Sequence, residues 1–170
     1  MNIFKKIKKK LILSFVNTFC KGTHAWKIKQ YLLNCCEGIE VGKNTKIVSP
    51  IMIPWYSTLK IGNDCWIGRN FTLEGNGDVV IGDNCDLAPC VTCVTGSHKI
   101  GNATRRAGEG FNAKVSVGNG TWIGTRSVLL PDVSVGNGVV VGACSVVTKD
   151  LEDNAIYVGS PAKKIRELKD

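Results

Sequence analysis

Between residues 41 and 152 an apolar side chain returns at nearly every sixth position. A strand repeats at two and a helix near 3.6, so this period belongs to neither alone. Set in sixes from Ile61, the chain reads IGNDCW, IGRNFT, LEGNGD and, after two extra residues, IGDNCD, LAPCVT, CVTGSH. Past an interruption it resumes VGNGTW, IGTRSV, LLPDVS, VGNGVV, VGACSV, VTKDLE. A looser turn starts earlier, at Val41, with VGKNTK, IVSPIM, IPWYST. The first place of each six is Ile, Leu, Val or once Cys, the second is usually Gly, and the fifth is usually small or β-branched.

Such a metre predicts an all-β architecture, a parallel β-helix in which each six forms one flat side of a triangular coil. First-place residues point inward and stack on their equivalents above and below. Glycine beside them relaxes the backbone at the corners. The fifth place also points inward and must be small, because the prism is narrow. Turns starting at 41, 61 and 81 are 20 residues apart, so each carries two extra residues at a corner. Residues 99–116 fill the length of one turn without keeping the pattern, and the expectation is a loop, 99–114, that leaves the prism. The coils are expected over residues 37–152, between a helical segment (1–36) and a tail (153–170).

Charge separates the same parts. Of the net +8, residues 1–36 hold eight lysines and no Asp or Glu, while the remainder balances fourteen basic against fourteen acidic residues. Ile3, Phe4, Ile7 and Leu11, at helical spacing beside Lys5, Lys6, Lys8, Lys9 and Lys10, read as an amphipathic helix. It either lies on an anionic membrane surface or caps the domain with its lysines in water. The apolar run at 11–16 is too short to span a bilayer, which takes roughly 20 residues, and no A-x-A cleavage pattern accompanies it. A lysine-rich end without interleaved aromatics, on a neutral body, argues against nucleic acid as a partner.

Three of the eight cysteines, Cys65, Cys85 and Cys93, fall at inward places, where a free thiol serves as a small hydrophobe. Cys90-Val-Thr-Cys93 lacks the second pair or nearby histidines that a metal or redox site needs. This usage suits a reducing cytoplasm, with the N-terminal helix offering contact with the inner face of the membrane.

The interruption, TGSHKIGNATRRAGEG at 95–110, carries one of only two histidines. His98 holds a sixth, outward place where the chain leaves the coil; a core histidine would sit at place one or five. An imidazole, ordinarily near pKa 6.5, is neutral enough at pH 7 to accept a proton as a general base. No cysteine pairs with it in sequence to make a covalent nucleophile. His24 lies outside the repeats. Arg105 and Arg106 either receive an anionic acceptor or form a solvated pair on the loop. Trp122 is also outward, and an exposed ring calls for a cover, a bound molecule or an adjoining subunit. Trp66 stands in the same column.

The succession VTGSHKI, loop, VGNGTWIG, GACSVVTKD, GSPAKKI resembles the hexapeptide-repeat acyltransferases. Within them it is similar to the galactoside and maltose O-acetyltransferases, and more closely to bacterial capsule and O-antigen O-acetyltransferases. The resemblance implies a left-handed coil, a homotrimer, acetyl-CoA as donor, no metal, and a carbohydrate acceptor. It implies direct transfer with His98 as general base and backbone N–H groups at a coil corner as oxyanion donors. Contacts with CoA are implied for Trp122, Gly124, Gly142, Ala143, Ser145, Thr148, Lys149, Pro161, Lys163 and Lys164. Among these, Gly142, Ala143 and Ser145 would give a smooth surface for the pantetheine chain, and the lysines would meet phosphates. Acceptor contacts are assigned to Asn70, Glu74, Arg105, Arg106 and Trp122. The chain departs from the galactoside type in one stretch: where that type has Ala-Asn-Phe-Asn, this sequence has IGRNFT, and the catalytic asparagine position falls on Gly68.

Other readings remain at this point. Acetylation of an amino sugar or of a xenobiotic hydroxyl would need a similar base, and an inert β-helix scaffold would have no use for His98. A three-histidine zinc enzyme on the same fold is excluded, since there are only two histidines and one lies outside the coils.

Overall fold

Val41, Ile61, Ile81, Val117 and Val135 form one column, each on a strand hydrogen-bonded in parallel to the next. The computed structural model, which describes residues 3–169, consists of such coils stacked behind two helices, α1 (Ile3–Phe19) and α2 (Trp26–Asn34). Three sheets form the sides of a prism. One joins the strands at 39–41, 58–61, 78–81, 115–117 and 134–135. A second joins those at 46–47, 66–67, 86–87, 122–123, 140–141, 155–158 and 163–167. The third joins those at 51–52, 71–74, 92–94, 128–129 and 146–147. The stack is the left-handed parallel β-helix that the metre and the resemblance led us to expect.

First places are inside: Ile67, Leu73, Leu87, Cys93, Ile123, Leu129 and Val147 expose nothing. The fifth place is not uniformly small, and that expectation is corrected. Phe71 is fully buried there. It fits because the other fifth places of its coil are Cys65 and Gly77, so interior volume is shared around each coil rather than fixed place by place.

The role of the second-place glycines also differs from expectation. A Cβ on Gly118 would lie 2.6 Å from the carbonyl carbon of Gly136 in the next coil, so these glycines permit close stacking. The corners turn at the fourth place instead, where Asn44, Asp64, Asn84, Gly120, Gly138 and Asn154 have φ between 51° and 65°. Asn, Asp and Gly tolerate that left-handed region best. A third-place ladder ties the coils along the same corner: Asn119 Oδ1 accepts the Asp83 N–H at 2.8 Å, Asn137 Oδ1 the Asn119 N–H at 2.9 Å, and Asp153 Oδ1 the Asn137 N–H at 2.7 Å.

The interruption leaves the prism, but not as a loop over 99–114. The chain departs after buried Thr95 and returns at Ala113, whose N–H donates to the Thr95 carbonyl at 2.8 Å. Between them Gly96–Ile100 pairs antiparallel with Ala107–Asn112. The excursion is therefore a β-hairpin, closed at its neck and begun earlier than the break in pattern. At the far end, coiling continues past residue 152. Ala155–Val158 stacks in parallel on the strand at 140–141, burying Ala155 and Tyr157, and Lys163–Glu167 folds back against it.

The helices close the first coil, whose outer edge would otherwise present unpaired backbone groups. Asn17 exchanges two hydrogen bonds with the Ile51 backbone, and Asn34 does the same with Val41. Lys9 Nζ donates to the Ser57 carbonyl at 2.9 Å, and Lys29 Nζ to those of Gly22 and Ile47. Both lysines are buried, and desolvation holds their pKa values below the usual lysine range. Ile3, Phe4, Ile7 and Leu11 all lie exposed. The helix thus caps the coil with one face and turns its apolar stripe outward.

Candidate active site

The hairpin strands place His98 opposite Gly110, outside the prism. Its Nδ1 lies 2.9 Å from the Gly108 carbonyl oxygen. A carbonyl only accepts, so Nδ1 carries the hydrogen and Nε2 keeps its lone pair free for a substrate proton. Gly108 permits this approach: a Cβ there would lie 2.9 Å from the Lys99 carbonyl oxygen. An ion pair between Lys99 and Glu109, 2.7 Å and exposed at both ends, spans the same strands and adds little stability.

His98 opens into a hollow of about 470 Å³ shared with Asn76, Ser97, Phe111 and Asn112. Asn112 Oδ1 accepts the Asn76 N–H at 3.1 Å, which fastens the hairpin to the coil beneath. The sequence reading did not single out these four residues. They converge only through the hairpin's register, which the six-residue metre does not encode.

The other acceptor candidates are dispersed. Glu74 is exposed on the strand leading to the hollow, its carbonyl accepting the Thr95 hydroxyl at 2.8 Å, but its side chain does not line the cavity. Asn70 occupies a corner at φ 60° and lines a different hollow with Asn17 and Met52. At Gly68 a Cβ would lie 2.5 Å from the Pro89 nitrogen, so no asparagine fits at the position aligned with the galactoside type. Arg105 and Arg106 are exposed in the hairpin turn, where Arg106 Nη1 donates to the Gly101 carbonyl at 3.3 Å.

Trp122 is 56% exposed on the second sheet, where it lines a slot of about 370 Å³ with Trp66, Asp86 and Ala88. The slot and the His98 hollow share no residue. His98 lies on the hairpin that leaves the third sheet, whereas Trp122 is on the second.

Near the C-terminal end, Ala143, Thr148 and Lys149 are exposed and Gly142 half-buried. Gly124 stacks beneath them, where a Cβ would lie 2.5 Å from the Ala143 nitrogen. Ser145 is a correction to the smooth surface drawn from sequence. It is fully buried, and its hydroxyl accepts the Gly159 N–H at 3.0 Å, so it braces the coil from inside. Pro161 lies in the turn before the final strand, on which Lys163, Lys164 and Arg166 are exposed. Lys164 donates to Glu152 and Glu167, each at 3.0 Å, and the hydrogen bond to Glu152 leads in raising its pKa. Arg166, passed over in the sequence reading, adds a cation to this strand.

The inward thiols stand apart from the hollow. A hydrogen bond with Cys85 lowers the pKa of Cys65, whereas burial pushes that of Cys93 up to about 12. All three are enclosed by the prism, so none is a nucleophile for a substrate at the surface.

Residues 114–149 match the model of the bacterial transferase hexapeptide family (six repeats). A galactoside O-acetyltransferase of Escherichia coli (strain K12) is 35% identical over 130 residues, covering 76% of this chain and 64% of that protein. The chain thus spans just under two thirds of that relative's length. WcaF of the same strain, described as a candidate colanic acid biosynthesis acetyltransferase, is 32% identical over 133 residues, covering 76% of this chain and 70% of WcaF. Among solved structures, a galactoside acetyltransferase in complex with coenzyme A superposes with a TM-score of 0.75 at 28% identity, covering 98% of this chain and 82% of that one.

Proposed function

The chain belongs to the hexapeptide-repeat transferases, and from that premise we propose that it transfers the acetyl group of acetyl-CoA to a hydroxyl of a bacterial cell-surface polysaccharide or its precursor. The observation that carries this reading is the hydrogen bond from His98 Nδ1 to the Gly108 carbonyl, which leaves Nε2 as a base over an open hollow.

Nε2 takes the proton of the acceptor hydroxyl as its oxygen attacks the thioester carbonyl. The Gly108 carbonyl steadies the imidazolium that forms. Backbone N–H groups at a coil corner are the oxyanion donors. The ring then returns its proton to the leaving sulfur, and no acyl-enzyme is needed. Coenzyme A suits the residues at the far end: Gly124 and Gly142 leave no side chain between coils, and Lys149, Lys163 and Arg166 offer cations to phosphate.

The separation of the His98 hollow from the Trp122 slot supports a homotrimer whose site lies between copies, one supplying the base and the next the tryptophan. The polysaccharide acceptor rests on WcaF, and O- rather than N-acetylation on the galactoside O-acetyltransferase. Eight free cysteines suit the cytoplasm.

The test is thiol release from acetyl-CoA in the presence of a panel of capsular and O-antigen saccharides, each product read by its mass. One acceptor should turn over, and His98→Ala should lower its kcat by at least about 100-fold. Turnover of that acceptor by His98→Ala near the wild-type rate would overturn the assignment.

A further inference from the structure

The outward stripe on α1 has no use in the acetyl-transfer reading. Ile7, Leu11, Phe15 and Phe19 recur at intervals of four on one face of the helix and are 51%, 65%, 47% and 73% exposed. Val16, Cys20 and the buried stem of Lys9 occupy the opposite face, against the body of the protein. The helix therefore does not need this stripe to hold its place. α1 crosses the end of the prism, with Lys9 and Asn17 reaching first-coil carbonyls, so the stripe looks away from the coils.

Exposed Lys8 and Lys10 flank the stripe. Exposed Lys21 and Lys27 lie on the same cap, and residues 1–36 contain no acidic side chain. Two such stripes meeting face to face would set like charges together without a counter-charge, which disfavours a second copy as the cover. An anionic bilayer surface offers both an apolar layer and negative headgroups at the depths where the ring faces and the ammonium groups sit.

We propose that α1 docks this protein on anionic membrane, with Ile7, Leu11, Phe15 and Phe19 entering the acyl boundary and Lys8 and Lys10 meeting headgroup phosphates. The prism then stands end-on to the bilayer, with the C-terminal strands at its opposite end. The docking does not depend on the acceptor or on His98.

The experiment is co-sedimentation of the full chain with sucrose-loaded vesicles. Vesicles of phosphatidylcholine mixed with phosphatidylglycerol should retain at least about tenfold more protein than phosphatidylcholine alone, and added salt should weaken that binding. Leu11→Glu with Phe15→Glu should lower retention at least about tenfold while the melting temperature and sedimentation coefficient stay as in wild type. Lys8→Gln with Lys10→Gln should lower retention several-fold on the mixed vesicles only. Wild-type protein left in the supernatant with the mixed vesicles would overturn the proposal. So would full retention of the Leu11/Phe15 variant, or a fall in its sedimentation coefficient, which would make the stripe a contact between copies.

Discussion

His98 and Gly108 are joined across the hairpin by a hydrogen bond of 2.9 Å from ring nitrogen to backbone oxygen. The acceptor is main chain, so no substitution deletes it directly, but its position depends on the close approach of two strands. Gly108→Ala would set a Cβ 2.9 Å from the Lys99 carbonyl oxygen and 3.2 Å from Gly101 Cα. The strands should part and the ring lose its fixed tautomer and aim. We expect kcat to fall about tenfold or more, since small misplacement of a base is expensive. The melting temperature should hardly change, because the hairpin lies outside the stacked coils; steady-state kinetics and thermal melting check both halves.

The interior makes its own prediction. Phe71→Ala should destabilise the protein by about 3–5 kcal/mol, the usual range for deleting a buried ring. Gly77 in the same coil offers no side chain to collapse into the gap. Urea unfolding followed by circular dichroism measures it. The six-residue metre disclosed the coils, their columns and the existence of an excursion, because inward places are chemically monotonous, but it set the point of departure at 99, after the true exit at Thr95. It did not disclose that an inward fifth place can hold a ring as large as Phe71, since volume is balanced within a coil and a column pattern averages over coils. For the same reason it missed Asn76 and Asn112. Their meeting depends on a hairpin whose pairing is local and aperiodic. His98, by contrast, stood out as a histidine at an outward place.

Lys29 is buried among the Gly22 and Ile47 carbonyls, and its pKa is lowered chiefly by desolvation. Between that lowered value and the ordinary 10.5, the unfolded chain binds more protons than the folded one, so this group makes stability rise with pH and withdraws that support as pH falls. Lys29→Met should lose the rise and strand two carbonyls, at about 1–3 kcal/mol each. The gap in melting temperature between wild type and variant should widen from pH 7.5 towards pH 10; a gap that stays constant would contradict the linkage.

Neighbouring lysines on the last strand should behave differently. Lys164 is tied to Glu152 and Glu167, whereas Lys163 is exposed and makes no ion pair among the described residues. If this strand meets the phosphates of CoA, Lys163→Ala should raise the KM for acetyl-CoA by about five- to tenfold, on the order of one charge-assisted hydrogen bond. Lys164→Ala should raise it less, because that ammonium must first leave two carboxylates. Equal effects would show that the pairs do not hold Lys164 back.

Trp122 and His98 line hollows with no residue in common, which is why the proposed site takes them from two chains. That geometry permits complementation. A chain with His98→Ala retains its tryptophan, and a chain with Trp122→Ala retains its base; in the homotrimer proposed above, each variant should be nearly inactive alone. When equal amounts assemble at random, a productive interface needs the base from one type, chance one half, and the tryptophan from the other on its correct side, again one half. About a quarter of all sites should then be wild type, and a third of those in the mixed trimers, where one of the three interfaces has both parts in the right order. Co-expression with distinct affinity tags, purification of mixed trimers and measurement of kcat per site would reveal it. Mixed trimers no more active than either parent would mean that base and tryptophan serve separate sites, or that each chain works alone.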